Sequence, residues 1–235
     1  MQYDCDVLVY SCITGNYDNA VRAVLSQTGV ADPRVGYVLY TDTKNQSTAG
    51  SLADLKNGFW ITRPLLWRHP LCARRTARWH KINSHLLDVR APVTVWIDGS
   101  HRVRPDLDVV SFATDALRIA DLATFQHPER TCVYQELEAC KRYRKDNPIL
   151  MSSQVERYRS EGYPAYAGMV ETCCVVRRDT EGVRQFNTAW WQQIESGSYR
   201  DQLSFNYVAR KRDFLYGILP GHRTSSKFFE YVGHG

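Results

Sequence analysis

Five stretches of this chain are apolar almost without interruption: DVLVYSCI (6–13), VGYVLYTD (35–42), VTVWIDGS (93–100), ADLATFQHP (120–128) and MVETCCVVRR (169–178). They are short for buried helices and lack the polar/apolar alternation of a strand with one wet face. They therefore read as strands covered on both sides, as in a sheet sandwiched between helices. The segments between them carry helical patterns: CARRTARWHKINSHLLDVR (72–90), CVYQELEACKRYRK (132–145), SSQVERYRSEG (152–162), TEGVRQFNTAWWQQIESG (180–197) and DQLSFNYVARKRD (201–213). Strands alternating with helices predict an α/β sandwich. At 235 residues, 43% hydrophobic, with no internal repeat, the chain is expected to form one domain over 1–235. The polar stretch 41–58 is expected to be a surface loop, and the Gly- and Ser-containing tail 219–235 a flap over a site.

Three of the apolar runs end on polar residues: Thr14–Gly15, Thr41–Asp42 and Asp98–Gly99. Ligands of open α/β sheets bind outside the carboxyl ends of the strands, so these three ends point to one cleft. Asp98 at the end of a buried strand needs a partner, and a metal, a ribose hydroxyl or local N–H groups would each supply one. Gly99 permits close approach to the backbone. In the helix that begins near residue 72, Arg74, Arg78, Lys81 and His85 recur at spacings of four, three and four, a cationic stripe able to clamp a diphosphate. Trp79, Ile82 and Leu86 form its apolar line.

Other blocks offer polar groups in the right company. FQHPERTCVYQE places His127 and Arg130 between a strand end and a helix start, where they are suited to positioning an acceptor. Glu171 sits within an apolar run, where burial raises a carboxyl pKa toward that of a general base; a salt bridge to Arg is the alternative. Asp201 and Gln202 follow SGSYR at a helix start, either capping the helix or facing substrate.

The net charge of +5, from 30 basic and 25 acidic residues, favours anionic ligands without demanding nucleic acid. Seven Cys with no CxxC pair, most of them in apolar runs, speak for a reducing compartment and against zinc. The start MQYDCDVLVYSCI lacks the basic region of a signal peptide, and no apolar run is of membrane-spanning length; a cytoplasmic location is expected.

Taken together, the blocks VLVYSCITGNYD, YVLYTD, RWHKINSH, VWIDGS, FQHPERTCVYQE, GMVETCCVVRR and WWQQIESGSYRDQLSFNYV resemble, in order, the glycosyltransferase-like domains that include the plant mucilage-related proteins. The resemblance covers about 7–210 and implies a GT-A-like single Rossmann-type sandwich with a central, mostly parallel sheet flanked by helices. It implies transfer of a sugar from a nucleoside-diphosphate sugar to a hydroxyl acceptor. By that resemblance Thr14, Tyr17 and Asp42 fall at the nucleoside, and Arg75, Arg78 and Lys81 at the diphosphate. Asp98, Gly99 and Ser100 form an Asp-x-Asp-like element. Glu171 and Asp201 fall at the catalytic side, and His127, Arg130 and Gln202 at the acceptor. Mn2+ or Mg2+ is the implied cofactor, held by Asp98. Ser100 replaces the second acid, so such a site needs His222 or His234 from the tail, or else the basic helix neutralises the diphosphate. The acceptor is expected to be a saccharide or a hydroxymethylated base in DNA. The rival readings are a GT-A-like module that binds nucleotide or glycan without turnover, and a nucleotide-sugar hydrolase or nucleotidyltransferase.

Overall fold

The computed structural model describes residues 3–15, 24, 32–42, 55 and 58–233. Its strands are β1 (Val7–Ile13), β2 (Val35–Thr41), β3 (Ile61–Pro64), β4 (Val93–Ile97), β5 (His101–Val103), β6 (Leu122–Gln126), β7 (Val170–Arg178), β8 (Gly217–Leu219) and β9 (Phe229–Tyr231). The helices that bear on the site are α1 (Ala73–Ile82), α2 (Val109–Ala116), α3 (Val133–Arg142), α4 (Pro148–Ser160), α5 (Glu181–Ser196) and α6 (Gln202–Lys211). Seven strands form one sheet in the order β3-β2-β1-β4-β7-β6-β8, and β5 pairs with β9 in a separate ribbon. Within the large sheet β7 runs antiparallel to both neighbours, β4 and β6, while the other neighbouring pairs are parallel.

The apolar runs are explained by two cores. Every residue of β1 and β2 is buried. Leu8, Tyr10 and Cys12 join one cluster with Trp96, Trp190 and Phe205, while Val7, Val9 and Ile13 join another with Val95, Ile97 and Phe112. Successive side chains on a strand alternate faces, so a sheet with two cores has no polar face to display. Among the described residues no helix is long and apolar enough to cross a membrane.

All five apolar runs form strands of the large sheet. The helix begun at residue 73 stops at Ile82, sooner than its pattern suggested: Asn83 donates to the Trp79 carbonyl through its backbone N (2.9 Å) and through Nδ2 (3.1 Å). Leu86 is consequently 52% exposed, not part of an apolar line. By contrast α4 starts upstream of SSQVERYRSEG, because Asn147 Oδ1 accepts from Ile149 N (2.9 Å) and Leu150 N (3.3 Å) with Pro148 in the first turn. The tail expected to be a flap over a site is tied to the rest of the fold over its described length. Leu219 belongs to β8, and the chain returns so that β9 pairs with β5; Val232 N donates to Ser100 O (2.9 Å) and Arg104 N to Phe228 O (3.1 Å). Most of the expected loop 41–58, Tyr17 and His234 lie outside the described residues.

Candidate active site

The polar ends of β1 and β2 are bonded to each other, while that of β4 is held by its own tryptophan and by α1. Thr14 Oγ1 donates to Asp42 Oδ1 (2.7 Å) and Gly15 N to Asp42 Oδ2 (2.9 Å), so one carboxylate ties the ends of β1 and β2. Gly15 has φ 88°, which suits glycine, as the chain turns here. Beyond β4, Asp98 Oδ1 accepts from Trp96 Nε1 (2.8 Å) and Lys81 Nζ (3.3 Å). A Cβ on Gly99 would lie 2.8 Å from the Ile13 side chain, so the end of β1 packs against this glycine, which also lines the first of the two cavities described below.

Lys81 is the centre of the arrangement. Its side chain, 1% exposed, lies 2.6 Å from Asp201 Oδ2 and donates to Thr172 Oγ1 (3.1 Å), which in turn donates to Asp201 Oδ2 (2.8 Å). Arg78 Nε is 3.1 Å from Asp201 Oδ1. The backbone of α1 is fixed from below by the buried Arg177, which donates to Lys81 O (2.6 Å) and Ile82 O (3.0 Å), and by Tyr10 Oη on Lys81 O (3.0 Å). These carbonyls carry the negative end of the helix, which suits a buried guanidinium.

Thr172 reaches Lys81 because of an irregularity in the sheet. Thr124 of β6 pairs with Val175, but the next residue, Phe125, pairs with Glu171, which leaves three extra residues on β7. Thr124 Oγ1 lies within hydrogen-bond distance of both Cys174 O (2.7 Å) and Glu171 O (3.2 Å), satisfying the backbone of this bulge. Bulges re-aim side chains next to functional sites.

The carboxylates divide by environment. For Asp201 burial alone would raise the pKa, but Arg78, Lys81 and Arg200 overcome it and hold the acid far below the usual carboxylate range. Asp201 is thus a poor proton acceptor, and its side chain makes no capping bond to α6. Asp98, set deep in the cleft, is likewise lowered by Lys81 and Arg78 against the cost of burial. Glu171 is the opposite: burial raises its pKa, and Arg223, through its backbone N (3.3 Å) and Nε (3.4 Å), only partly offsets this.

Two cavities open on this centre. One, of about 450 Å3, is walled by the end of β1, by Arg74, Ala77 and Arg78 of α1, and by Tyr199. The other, of about 410 Å3, is walled by His127, Arg130, Glu136, Glu171 and Gln202, with Arg223 and Tyr231 from the tail. Arg78, Asp98, Ser100, Lys145 and Arg200 line both. The three residues expected at the acceptor therefore share one wall. His127 Nδ1 accepts from Glu129 N and Arg130 N (both 3.1 Å), Arg130 Nε donates to the buried Glu136 (2.6 Å), and Gln202 Nε2 donates to Val170 O (3.2 Å).

Arg75 does not face either cavity. It donates to Ile194 O and to Gly197 O (2.5 Å), holding the last carbonyls of α5. Arg74 of the stripe lines the first cavity and donates to Tyr199 Oη (2.5 Å). His85 leaves the stripe because α1 has already ended. Lys145, Arg200, Glu136 and Thr172 had no signal of their own, since they come from loops, a helix side and a bulge.

Asp98 Oδ1 already takes two donors, Ser100 Oγ faces His101 Nδ1 (3.2 Å), and the described residues bring together no group of three His, Cys, Asp or Glu able to hold a metal. His222, the tail candidate within the described residues, hydrogen-bonds Thr224 through Nδ1 (3.1 Å).

A mostly parallel sheet covered by helices, with one antiparallel strand and a cleft at the strand ends, is a GT-A-like architecture. Mouse xyloside xylosyltransferase 1, in its apo crystal structure, has the same fold, with a TM-score of 0.55 over 92% of this chain and 84% of that one at 10% identity. The chain belongs to the TOD1/MUCI70 glycosyltransferase-like domain family, whose model matches residues 1–225. It is 24% identical over 220 residues to the probable hexosyltransferase MUCI70 of Arabidopsis thaliana, spanning 87% of this chain and 37% of that protein's length.

Proposed function

We propose that this domain transfers a sugar from a nucleoside-diphosphate sugar to a hydroxyl of a saccharide, with the donor in the first cavity and the acceptor in the second. The observation that carries the reading is Asp98 lining both cavities, with Lys81 and its other partner Asp201 on the wall of the second. The acceptor oxygen forms a bond to the anomeric carbon as the bond from that carbon to the diphosphate oxygen breaks. Electrostatic support is needed most on the leaving diphosphate. The cations that line the first cavity, Arg74, Arg78, Lys145 and Arg200, are the groups placed to meet the diphosphate. If the transfer inverts the anomeric centre, Glu171 takes the hydroxyl proton, since its environment favours the protonated form while that of Asp201 opposes it.

The test is a thermal-shift and calorimetric screen of nucleoside diphosphates and their sugars, with Mn2+ or with chelator, followed by mass analysis of products. Saturating ligand at about 100 times Kd adds about 2.7 kcal/mol to stability, a clear rise in Tm. We expect a nucleoside-diphosphate sugar to bind in chelator and its sugar to appear on a saccharide. Binding without turnover would instead make the domain a recognition module. Transfer only to hydroxymethylated duplex DNA, with steep loss of rate as salt rises, would move the acceptor to nucleic acid. The absence of any nucleotide binding would overturn the reading.

A further inference from the structure

In the proposed transfer the bond from the anomeric carbon to the diphosphate breaks where donor and acceptor cavities join, so the side chains that line both are the ones placed to act on it. Three of these are cations: Arg78, Lys145 and Arg200. Two have a carboxylate of their own: Arg78 Nε is 3.1 Å from Asp201 and Arg200 Nη2 is 3.8 Å from Glu136. Lys145 differs. It is exposed, its ammonium pairs with no carboxylate among the described residues, and it lies 6.0 Å from the centroid of the Tyr143 ring. The backbone that carries it is pinned. The chain leaves α3 through Arg144 at φ 49°, a left-handed conformation that is costly for a residue with a Cβ. Lys145 N donates to Cys140 O (2.9 Å), and Lys145 O accepts from Arg74 Nη1 (3.2 Å) and from Tyr199 Oη. The next residue, Asp146, accepts at Oδ2 from Ser198 Oγ (2.6 Å) and Tyr199 N (3.0 Å).

A cation beside its own carboxylate presents a dipole to a ligand, and the two fields partly cancel; a cation without one presents its whole charge. Negative charge on the diphosphate grows as the bond breaks, because the electron pair of the C–O bond stays on the diphosphate oxygen. Only contacts that strengthen at that moment raise kcat, whereas contacts equal in donor and transition state lower KM. We propose that Lys145 is a catalytic residue whose ammonium meets the departing diphosphate where the cavities join, and that Arg74, Tyr199 and Asp146 hold the loop that presents it. The ammonium keeps its protons throughout, so the contact is electrostatic. Arg78 and Arg200 serve donor and product alike, as fixed parts of the wall. The assignment deepens the transferase reading given above and rests on it.

The experiment compares the parent with Lys145→Ala, Lys145→Arg and Tyr199→Phe. Calorimetry measures the affinity of each for the nucleoside-diphosphate sugar selected by the screen above and for the nucleoside diphosphate that it releases; initial rates at saturating donor give kcat. The free nucleoside diphosphate carries the extra negative charge of the leaving group, so it reports the contact that forms as the bond breaks. We expect Lys145→Ala to lower kcat roughly 10- to 100-fold and to weaken the nucleoside diphosphate roughly 10-fold, while the affinity for the sugar donor changes by less than about 3-fold. Lys145→Arg should recover most of both losses, and Tyr199→Phe should lower kcat by a smaller factor. Lys145→Ala with parent kcat and parent affinity for the nucleoside diphosphate removes the assignment and leaves the transferase reading standing. Equal weakening of diphosphate and donor at unchanged kcat makes Lys145 a clamp on the donor and overturns its catalytic role. An arginine variant as impaired as the alanine one shows that charge is not what the position supplies, and overturns it too. If the parent binds both ligands but transfers to no saccharide, the transferase reading falls, and the ratio of the two affinities in Lys145→Ala still decides the contact. A parent that binds neither removes both.

Discussion

At the scale of residues, the cleft separates two carboxylates that the sequence could only offer as equals. Glu171 and Asp201 both follow apolar or capping patterns, but one is met chiefly by burial and the other by three cations. The cations come from α1 and from the residue before Asp201, and no local pattern shows which acid they will choose. The difference is measurable as stability against pH. Asp201, with its native pKa lowered, contributes stability above its unfolded value of about 3.9, and this is lost as pH falls through the native value. Glu171, with its native pKa raised, contributes stability below about 4.3 and loses it as pH rises through the native value. Asp201→Asn should therefore destabilise the protein at pH 7 by about 3–5 kcal/mol, since it strips a buried lysine of its closest carboxylate. That gap should narrow below about pH 4. Glu171→Gln should raise Tm at pH 7 and lose its advantage in acid. Urea melts from pH 3 to 8 check both, and a stabilising Asp201→Asn at pH 7 would contradict the ion-pair assignment.

At the scale of elements, the long apolar strands were legible because two cores impose a composition on them that few other environments share. The short pieces were not: β3, β5, β8 and β9 are three or four residues each, too short for a period to show. Nor could MVETCCVVRR reveal that Thr172, Cys173 and Cys174 stand out of register with β6, because a bulge keeps the apolar composition and changes only the pairing. Yet the bulge is what brings Thr172 to Lys81 and turns Glu171 to the cavity. Its backbone depends on the Thr124 hydroxyl, so Thr124→Val, nearly the same shape, should cost roughly 1–3 kcal/mol by leaving buried carbonyl groups short of a donor. The denaturation midpoint should fall with an unchanged m-value, and sugar transfer should fall more than nucleotide affinity. A variant with normal stability and normal transfer would mean that the bulge holds its shape without that hydroxyl.

At the scale of the whole molecule, the position of the cleft was the most accessible feature, because parallel strands must place their carboxyl ends together whatever their order. What closes the cleft was not accessible. The tail adds β8 to one edge of the sheet and then crosses back to pair β9 with β5, supplying Arg223 and Tyr231 to the second cavity. Its anchor is apolar: Phe229 is 3% exposed, and Phe112 of α2 packs against Phe228 at 4.3 Å and Phe229 at 5.5 Å. A two-stranded ribbon outside the main sheet has few partners besides these rings, so it is the natural unit of local opening. Burying a phenylalanine contributes about 3–5 kcal/mol at a well-packed site, and Phe229→Ala should spend that loss on the ribbon first. Hydrogen exchange should quicken at the amides of Arg104 and Val232, which bond to Phe228 O and Ser100 O, while those in β1 and β4 keep their protection. Transfer should fall in the same variant, because Glu171 loses the Arg223 backbone N–H. Faster exchange spread evenly through the central sheet would show instead that tail and sheet unfold as one body, and the cavity wall would then be as permanent as the strands beneath it.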